Sequence, residues 1–496
     1  MHGRVCVSGK PTPWIERARW WLLLGSLCCG GVSTQAWGRS LGDLVDDPLF
    51  ARPPVLDTGA VLPSDAQPIP CPASGDLAHP LSLSLSEAVD LGLCNNPQVK
   101  AAWAAIKIQA GAVGEARAAY LPTLTGSLSA MHTRNEFPDR PEANSTSNGH
   151  TVYLGLSWRL FDFGARSANR EAANLLLAAA ISGHDAALQK VLASVVGAYF
   201  DALTQQAAMQ ARTEATRLAR DTVEATERRE RRGAAGQSDT LQARTAFAKG
   251  QLTEQRAVAD FRKALSALAY ALGLQPGTAF QLAELNDATD SQSVGELARW
   301  LDEAAARHPG IASARAQWDA ANARVAKTRA EGLPTIDLTA NFYQNGYPNQ
   351  GLQSTRNNVS TVGLTLTIPL FEGFARTYKI RGAEAQAEQS EAQYEDTKNQ
   401  ILSDVIKVHA DAVAAVDNLR ASDVLIRSAQ ASMVSSEKRY AKGAADVLEL
   451  LSTQSALMDA MQERVRCLSE WRAARLRLMA TAGVLGRERL DNPLVR

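Results

Sequence analysis

The chain has 496 residues, with 52 basic and 52 acidic side chains and therefore a formal net charge of zero. A protein that follows the phosphate backbone of a nucleic acid normally carries a clear basic excess, so this balance predicts no nucleic-acid partner. Aromatic residues make up only 6% of the chain, and alanine is abundant over long stretches. This composition is typical of long, closely packed helices rather than of a compact enzyme core.

The first 38 residues have the pattern of an export signal, which would be removed from the mature protein. Basic residues precede an apolar run over 20–32, and the small residues that follow allow cleavage after Ala36. One alternative is a membrane-anchor helix, but this apolar run is short for a membrane span. The other is a lipoprotein signal that uses Cys28 or Cys29, although the residue before each cysteine fits such a signal poorly.

The segment 39–80 contains eight of the twenty prolines and no periodic pattern, which predicts an extended linker. Removal of the signal leaves three cysteines, Cys71, Cys94 and Cys467. Because an exported chain enters an oxidising compartment, we expect a disulfide between Cys71 and Cys94, with two buried free thiols as the alternative. Cys467 lies inside a helical run and is predicted to be a small packing residue.

The sequence after the linker is duplicated, with a first repeat over 81–285, a second over 286–490 and a short tail over 491–496. Three pairs of landmarks are each separated by 210 residues. These pairs are Leu160–Arg166 with Leu370–Arg376, Arg232–Ala235 with Lys442–Ala445, and Leu272–Leu274 with Ala482–Val484. Chance would not hold one offset over three separate landmarks, so we predict two structural repeats.

Each repeat is predicted to contain a helix, a β-hairpin, a very long helix and a long returning helix. The segments 165–231 and 375–441 contain no proline, and each could form a helix of about 67 residues, roughly 100 Å long. We expect these helices to turn near Gly233 and Gly443. The returning helices are predicted over 238–272 and 445–482. Helices of this length need neighbouring helices to bury their apolar faces.

Two β-hairpins are predicted from alternating apolar and polar residues. Their strands are expected over 121–134, 151–161, 333–345 and 359–371, with polar loops over 135–150 and 346–358. The lengths suit transmembrane strands, which need about 9–11 residues, and aromatic residues gather at one end of the strands. A soluble β-sandwich is the alternative. Four strands in lipid cannot close a barrel alone, so other copies of the chain must complete it.

Over nearly all of 81–490, the sequence resembles the TolC-type outer-membrane factors. The motifs that carry the resemblance are Leu85–Val89, Asn96-Pro97, Tyr120–Pro122, Leu370–Gly373, Arg439–Gly443 and Glu449–Gln454. The order of the motifs, their duplication and their spacing all agree with that family. The segment Leu93–Gln98 is most similar to the branch that serves type I protein secretion, which includes the CyaE-like proteins.

The resemblance implies a mainly α-helical fold with transmembrane β-strands. Three chains would form a homotrimer with a 12-stranded β-barrel continued by a 12-helix α-barrel, placed in the outer membrane and extending into the periplasm. It also implies docking to a periplasmic adaptor and an inner-membrane transporter, of the ABC type or alternatively the RND type. The implied function is the exit duct of an export system, with type I protein secretion ahead of small-molecule or multidrug efflux.

The family closes its tunnel at the helical tips, where an Asp of the first tip pairs with a Tyr and an Arg of the second. Asp239 and Tyr440 match this gate, but Ala445 stands at the Arg position. Arginines near the first tip are candidates to replace it, namely Arg228, Arg229, Arg231 and Arg232. We also expect the tip residues to present backbone to the adaptor, with simple helix capping as the alternative. These tip residues are Arg232, Gly233, Lys442 and Gly443.

The family also constricts its lumen with a ring of acidic residues. Glu449 matches the first position of this ring, whereas the second position holds Ser452. Since clustered carboxylates select cations, we expect Glu449 and the nearby Asp446 to form a narrow cation-favouring ring. The alternative is that both are solvated residues at the start of a helix, where the helix dipole favours negative charge.

The sequence predicts neither an enzyme nor a cofactor or metal site. The seven histidines are scattered, no cysteine pattern typical of zinc sites is present, and no glycine-rich phosphate loop occurs. Two other classes of protein remain as alternatives. A periplasmic coiled-coil adaptor would contain a single helical hairpin, and a trimeric adhesin would lack four alternating strands at two matched sites.

Overall fold

The computed structural model describes residues 47–52, 81–233, 236–275, 278, 280–283, 294–345 and 357–486. The predicted signal, most of the linker and the tail lie outside these residues. The chain divides into two units, of which the first ends at Ala51. The described part of this first unit is a tight turn in which the Ala51 amide donates to the Asp47 carboxylate at 2.7 Å. All the elements below belong to the second unit.

The described elements are mostly helical. In chain order the α-helices and strands are β1 (Leu81–Leu83), α1 (Leu85–Asn95), α2 (Pro97–Ala118), β2 (Thr123–Asn135), β3 (Ser145–Phe161), α3 (Ala165–Arg231), α4 (Gln237–Ala271), β4 (Phe280–Leu282), α5 (Leu297–Arg307), α6 (Pro309–Ala330), β5 (Thr335–Gln344), β6 (Asn358–Thr367), α7 (Ala375–Ala441) and α8 (Val447–Thr481). A short 3-10 helix, Pro141–Ala143, lies between β2 and β3. Helices α1 to α4 contain 11, 22, 67 and 35 residues, and helices α5 to α8 repeat these lengths. The predicted duplication is therefore a duplication of structure.

Two of the helices continue others end to end. Gly273 ends α4 with a φ of +68°, and a Cβ at this position would lie 2.8 Å from the carbonyl of Asn95, so only glycine allows the approach to α2. Gly483 ends α8 with a φ of +76° and contacts Pro309 and His308 at the start of α6. The pairs α4 with α2 and α8 with α6 thus each form one long, interrupted rod.

The long helices pack beside these rods. Helix α3 contacts α2, α4, α6 and α8, and α7 contacts α6 and α8. The described residues of the second unit therefore contain four helical columns, namely the rod of α2 and α4, helix α3, the rod of α6 and α8, and helix α7. One window of α3 is long and apolar enough to cross a membrane, but half of it is buried inside the structure. Burial against neighbouring helices accounts for that apolar character.

The main core lies where α1, α3, α7 and α8 meet. Val195, Tyr199, Val405 and Leu478 are buried there. The Tyr199 hydroxyl donates to the Leu83 carbonyl at 3.0 Å, which ties the short strand β1 to α3. Burial, together with the negative charge of Glu87, raises the pKa of Tyr199 to about 12, so the hydroxyl stays a donor. Strand β1 pairs in parallel with β4, a two-stranded sheet that the sequence did not predict.

The cysteines of the described residues behave differently. Cys94, near the end of α1, is disulfide-bonded. Its predicted partner, Cys71, lies outside the described residues, so this pairing stays a prediction. Cys467 is free and buried in the main core, where it packs among apolar side chains.

The four longer strands form one antiparallel sheet in the order β2-β3-β5-β6. Two expected strand limits are wrong. The first polar loop is shorter than predicted because β3 begins at Ser145, where it pairs with Asn135. Strand β6 ends at Thr367 rather than at residue 371, and the nearby Pro369 has no amide hydrogen with which to continue the ladder.

Helices α2 and α6 begin alike but are capped by different residues. The Asn96 side chain accepts from the Gln98 amide at 2.8 Å and donates to the Ala271 carbonyl at 3.0 Å. At the equivalent position, His308 Nδ1 accepts from the Gly310 amide at 3.1 Å. This bond requires a neutral imidazole with an unprotonated Nδ1, because a protonated ring has two donors and no acceptor.

The cap at His308 predicts a pH-dependent stability. Burial lowers the pKa of His308 in the folded chain, so the unfolded chain binds the proton more tightly. The stability contribution is complete above the unfolded value of about 6.5 and is lost as pH falls through the folded pKa. His308→Asn, which copies the cap of α2, should flatten this decline in melting temperature below about pH 6.5. Identical pH profiles for the parent and the variant would contradict the role of His308.

Candidate functional site

The sheet has one apolar face and one polar face. Cross-strand partners on the outward face are apolar, such as Leu124 with Leu156 and Trp158 with Leu338. Partners on the other face, called here the inward face, are mostly Thr, Ser, Gly and Asn, such as Ser157 with Thr339. Exposed side chains of the outward face include Leu124, Leu128, Leu154, Val362, Leu364 and Leu366. An exposed apolar surface of this kind needs an apolar environment, as strands in a lipid bilayer have.

Aromatic residues gather where the strands meet the long helices, as predicted. Phe161 and Phe163 pack edge to face with ring centroids 4.7 Å apart, and Phe371 and Phe374 do the same at 5.4 Å. All four rings are exposed. The Trp158 indole donates to the Tyr120 carbonyl at 2.9 Å. Exposed aromatic rings at one end of a transmembrane sheet are typical of the membrane–water interface.

Arg166 joins the first hairpin to α3. Its guanidinium pairs with the Asp162 carboxylate at 2.9 Å and donates to the carbonyls of Arg159 and Leu160 at 2.7 and 3.2 Å. It also lies over the Tyr120 ring, 4.8 Å from the centroid. Both ionic partners are largely buried, so the ends of the strand and the helix are fixed by charge-assisted hydrogen bonds.

The second joint is built less completely. Arg376, at the position equivalent to Arg166, donates to the carbonyls of Gly332 and Arg329 at 2.6 and 3.0 Å. Its Nε atom is buried and has no hydrogen-bond partner among the described residues. At the offset of 210 residues Glu372 takes the place of Asp162, but among the described residues no ion pair joins Glu372 to Arg376.

The two helical tips reverse the chain by the same backbone device. Gly233 ends the first long helix with a φ of +70°, and Gly443 ends the second with a φ of +73°. At the second tip, the Gly443 amide donates to the Tyr440 carbonyl at 3.0 Å and the Ala444 amide donates to the Arg439 carbonyl at 2.8 Å. Such left-handed C-terminal turns favour glycine. The predicted tip residues Arg232, Gly233, Lys442 and Gly443 are thus exposed at the ends of α3 and α7.

The acidic residues of the second tip both have local partners. Asp446 is the N-cap of α8, and its carboxylate accepts from the Glu449 amide at 2.7 Å. The Glu449 carboxylate pairs with the Arg439 guanidinium at 2.8 Å across the turn. Asp446 therefore makes the contact expected of a residue at the start of a helix, which is the alternative to a role in the acidic ring. The Arg439 partner was missed in the sequence, because ten residues separate it from Glu449 and only the reversal brings them together.

Tyr440 contacts the first tip through an arginine. The Arg229 guanidinium carbon lies 4.6 Å from the centroid of the Tyr440 ring, and its Nη1 donates to the Tyr440 carbonyl at 3.5 Å. Asp239, the expected partner of Tyr440, instead accepts from the Ser238 hydroxyl at 3.4 Å. Among the described residues no hydrogen bond joins Asp239 to Tyr440. The ends of α3 and α7 are thus connected by a cation on an aromatic face.

The remaining kinds of candidate site are a metal site and a cavity between helices. Within the described ranges, no group of His, Cys, Asp and Glu side chains could hold a metal ion. A cavity of about 620 Å³ lies between α3, α7 and α8. It is lined by alanines and by charges of both signs, including Asp201, Asp411 and Arg477, without a set of converging groups that would select one ligand.

Comparison with known proteins identifies the family. The outer membrane efflux protein family matches residues 88–274 and 300–484. CyaE of Bordetella pertussis is 36% identical over 442 residues, which cover 89% of this chain and 92% of CyaE. The chain belongs to the outer membrane efflux protein family. This efflux protein is an outer-membrane export channel that extends into the periplasm, so its outward face lies in lipid.

Two further comparisons agree with this assignment. The alkaline protease secretion protein AprF of Pseudomonas aeruginosa is 28% identical to the efflux protein, with 83% of this chain and 86% of AprF covered. The crystal structure of the outer membrane protein VceC of Vibrio cholerae has the same fold, with a TM-score of 0.70 and 22% identity. That match covers 80% of this chain and 96% of VceC. The predicted fold, with barrel strands continued by a helical tunnel, is confirmed.

The difference between the two joints predicts unequal effects of substitution. Arg166→Leu leaves the buried Asp162 carboxylate without its cation, which should cost about 3 kcal/mol of stability. Arg376→Leu is the matched control, since it breaks two carbonyl contacts but no ion pair, and its loss should be smaller. Melting temperatures of the purified efflux protein in detergent measure both effects. Equal losses would show that the Arg166–Asp162 pair adds nothing.

Proposed function

We propose that this efflux protein is the exit duct of a type I protein secretion system. The observation that carries the proposal is the similarity over nearly the full length to CyaE and to AprF, whose name describes the secretion of a protease. The inward face supports it, because a wall of Thr, Ser and Gly is suited to a water-filled passage. Small-molecule efflux is the second candidate, which the description of the family favours.

We infer that the duct is a homotrimer. The described sheet has two outer strands, β2 and β6, each with one unpaired edge. Backbone groups at these edges cannot remain unpaired in lipid, so β6 of one copy should pair with β2 of the next. Three copies give 12 strands, the number that the family resemblance implies. The two long helices, α3 and α7, and the two interrupted rods of each copy would then form a tunnel of 12 helices in the periplasm.

The tips are the proposed contact with the rest of the export system. Arg232, Gly233, Lys442 and Gly443 form the exposed periplasmic end of each chain, where a periplasmic adaptor can reach them. Through this adaptor the duct would connect to an inner-membrane transporter. A transporter of the ABC type is favoured, because type I secretion uses one, and the RND type is the alternative.

We also propose that the tips close the duct at rest. Asp239, Tyr440, Asp446 and Glu449 all lie in the two tips, as the resemblance implies for a gate. Glu449 is paired with Arg439 and is still partly exposed, so its carboxylate can add to a cation-favouring ring in the assembled trimer. Arg229 takes the role of the missing arginine, since it reaches Tyr440 from the neighbouring hairpin.

The docking role can be tested at Gly443. Its φ of +73° is unfavourable for a branched side chain, so Gly443→Val should distort the second tip and stop secretion of the cargo. The measurement is cargo secretion by cells that contain the matching adaptor and transporter. Gly382→Ala is the control, because this glycine lies in α7 with open space around it. Intact secretion through an inserted Gly443→Val trimer would refute docking at this tip.

The gate can be tested at Tyr440. Arg229 contacts the ring face and the carbonyl of Tyr440, not its hydroxyl, so Tyr440→Phe should leave the duct closed. Tyr440→Leu removes the aromatic face, a contact worth roughly 0.5–2 kcal/mol, and should raise the conductance in planar bilayers. Tyr378→Leu is the control, since it removes a similar contact with Arg381 near the strands. An open Phe variant would show that the hydroxyl maintains the closure.

A further inference from the structure

Tyr153 is one of two tyrosines on the inward face of the sheet. Its register partner is Tyr343, and its neighbours on that face are Thr151 and Gly155. The side chain does not project away from the sheet. It is half-buried, and it turns along its own strand so that the ring and hydroxyl cover Gly155.

Two residues hold the ring in this position. Gly155 provides the space, because a Cβ there would overlap the Tyr153 hydroxyl and ring. Asn341, the register partner of Gly155 on β5, accepts a hydrogen bond from the Tyr153 hydroxyl at 2.9 Å. Gly363 also lies on the inward face, but no atom lies within 4 Å of the position that a Cβ would occupy there. A side chain at Gly363 would therefore meet no neighbour, unlike one at Gly155.

Other polar groups of the inward face also bond to the sheet itself. Thr123 and Thr125 donate to the carbonyls of Ser157 and Gly155 at 3.1 and 3.2 Å. Arg159 pairs with Asp337 at 2.9 Å. Their donors and charges are thus used within the sheet, and they offer a passing chain few free partners.

We propose that Gly155 and Asn341 hold Tyr153 flat against the barrel, and that this position sets the free width of the lumen for a polypeptide cargo. The inference rests on the proposed function, because it requires the inward face to line a passage. A tyrosine released from this site would extend from each of three copies into the same cross-section. Together, Tyr153, Gly155 and Asn341 therefore determine the size of the cargo that can pass the barrel.

A thiol placed beyond Tyr153 measures this width. Thr123 lies on the inward face at the helical end of β2, so a reagent that enters from outside the cell must pass Tyr153 to reach Thr123→Cys. The native Cys467 is buried. Maleimide-polyethylene glycols of increasing size, added to whole cells, then report the largest reagent that the barrel admits.

Gly155→Ala in the Thr123→Cys chain should lose labelling by the larger reagents that the parent admits. Gly363→Ala, the matched control, should keep the parental limit. Asn341→Ala removes only the hydrogen bond to Tyr153 and should also lower the size limit for labelling. This variant tests the proposal if Gly155→Ala fails to assemble. Gly155→Ala with Tyr153→Ser should restore it.

The outcomes separate the two proposals. An unchanged size limit in both Gly155→Ala and Asn341→Ala, with trimers present in the membrane, would overturn the role of Tyr153. A parental chain whose Thr123→Cys thiol is never labelled from outside would instead overturn the passage itself. Loss of the larger reagents together with rescue by Tyr153→Ser would establish the positioning role.

Discussion

A strand in lipid must pair all its backbone hydrogen-bonding groups, and the rest of this structure depends on that constraint. The described residues of one chain supply the strands β2, β3, β5 and β6, and within them the first and last of these strands each have an unpaired edge. Apolar side chains on the outward face suit lipid, but they cannot satisfy an open edge. Further copies must therefore add strands, and the helices that follow β3 and β6 become parts of a common wall.

The packing of the long helix α3 changes along its length. Midway along its length, beside the small sheet of β1 and β4, it buries large side chains such as Leu192 and Tyr199. Nearer the strands it buries alanines such as Ala168 and Ala172, and nearer the tip it buries Ala208, Thr216 and Thr226. Small residues bury little apolar surface and so add little to stability. The tips consequently depend more on individual polar contacts than the middle of the structure does.

The two repeats share their architecture but differ in the residues that carry particular roles. Helix lengths are equal, and both long helices end in a glycine turn. Yet Asn96 corresponds to His308 as a helix cap, and within the part of the chain that the structure describes Arg166 has a carboxylate partner whereas Arg376 has none. The two repeats thus share the backbone geometry that determines how the helices meet, while single side chains at equivalent positions make different contacts.

The sequence by itself determined the duplication, the limits of α3 and α7, the number of long strands and the tip glycines, because these follow from periodicity and from local backbone preferences. It did not predict the pairing of β1 with β4, which of the four candidate arginines of the first tip contacts Tyr440, the pair of Arg439 with Glu449 or the position of Tyr153 over Gly155. Each of these contacts depends on side chains meeting across a turn, a strand or a helix boundary. Local sequence patterns do not specify such distances, so only the tertiary structure decided them.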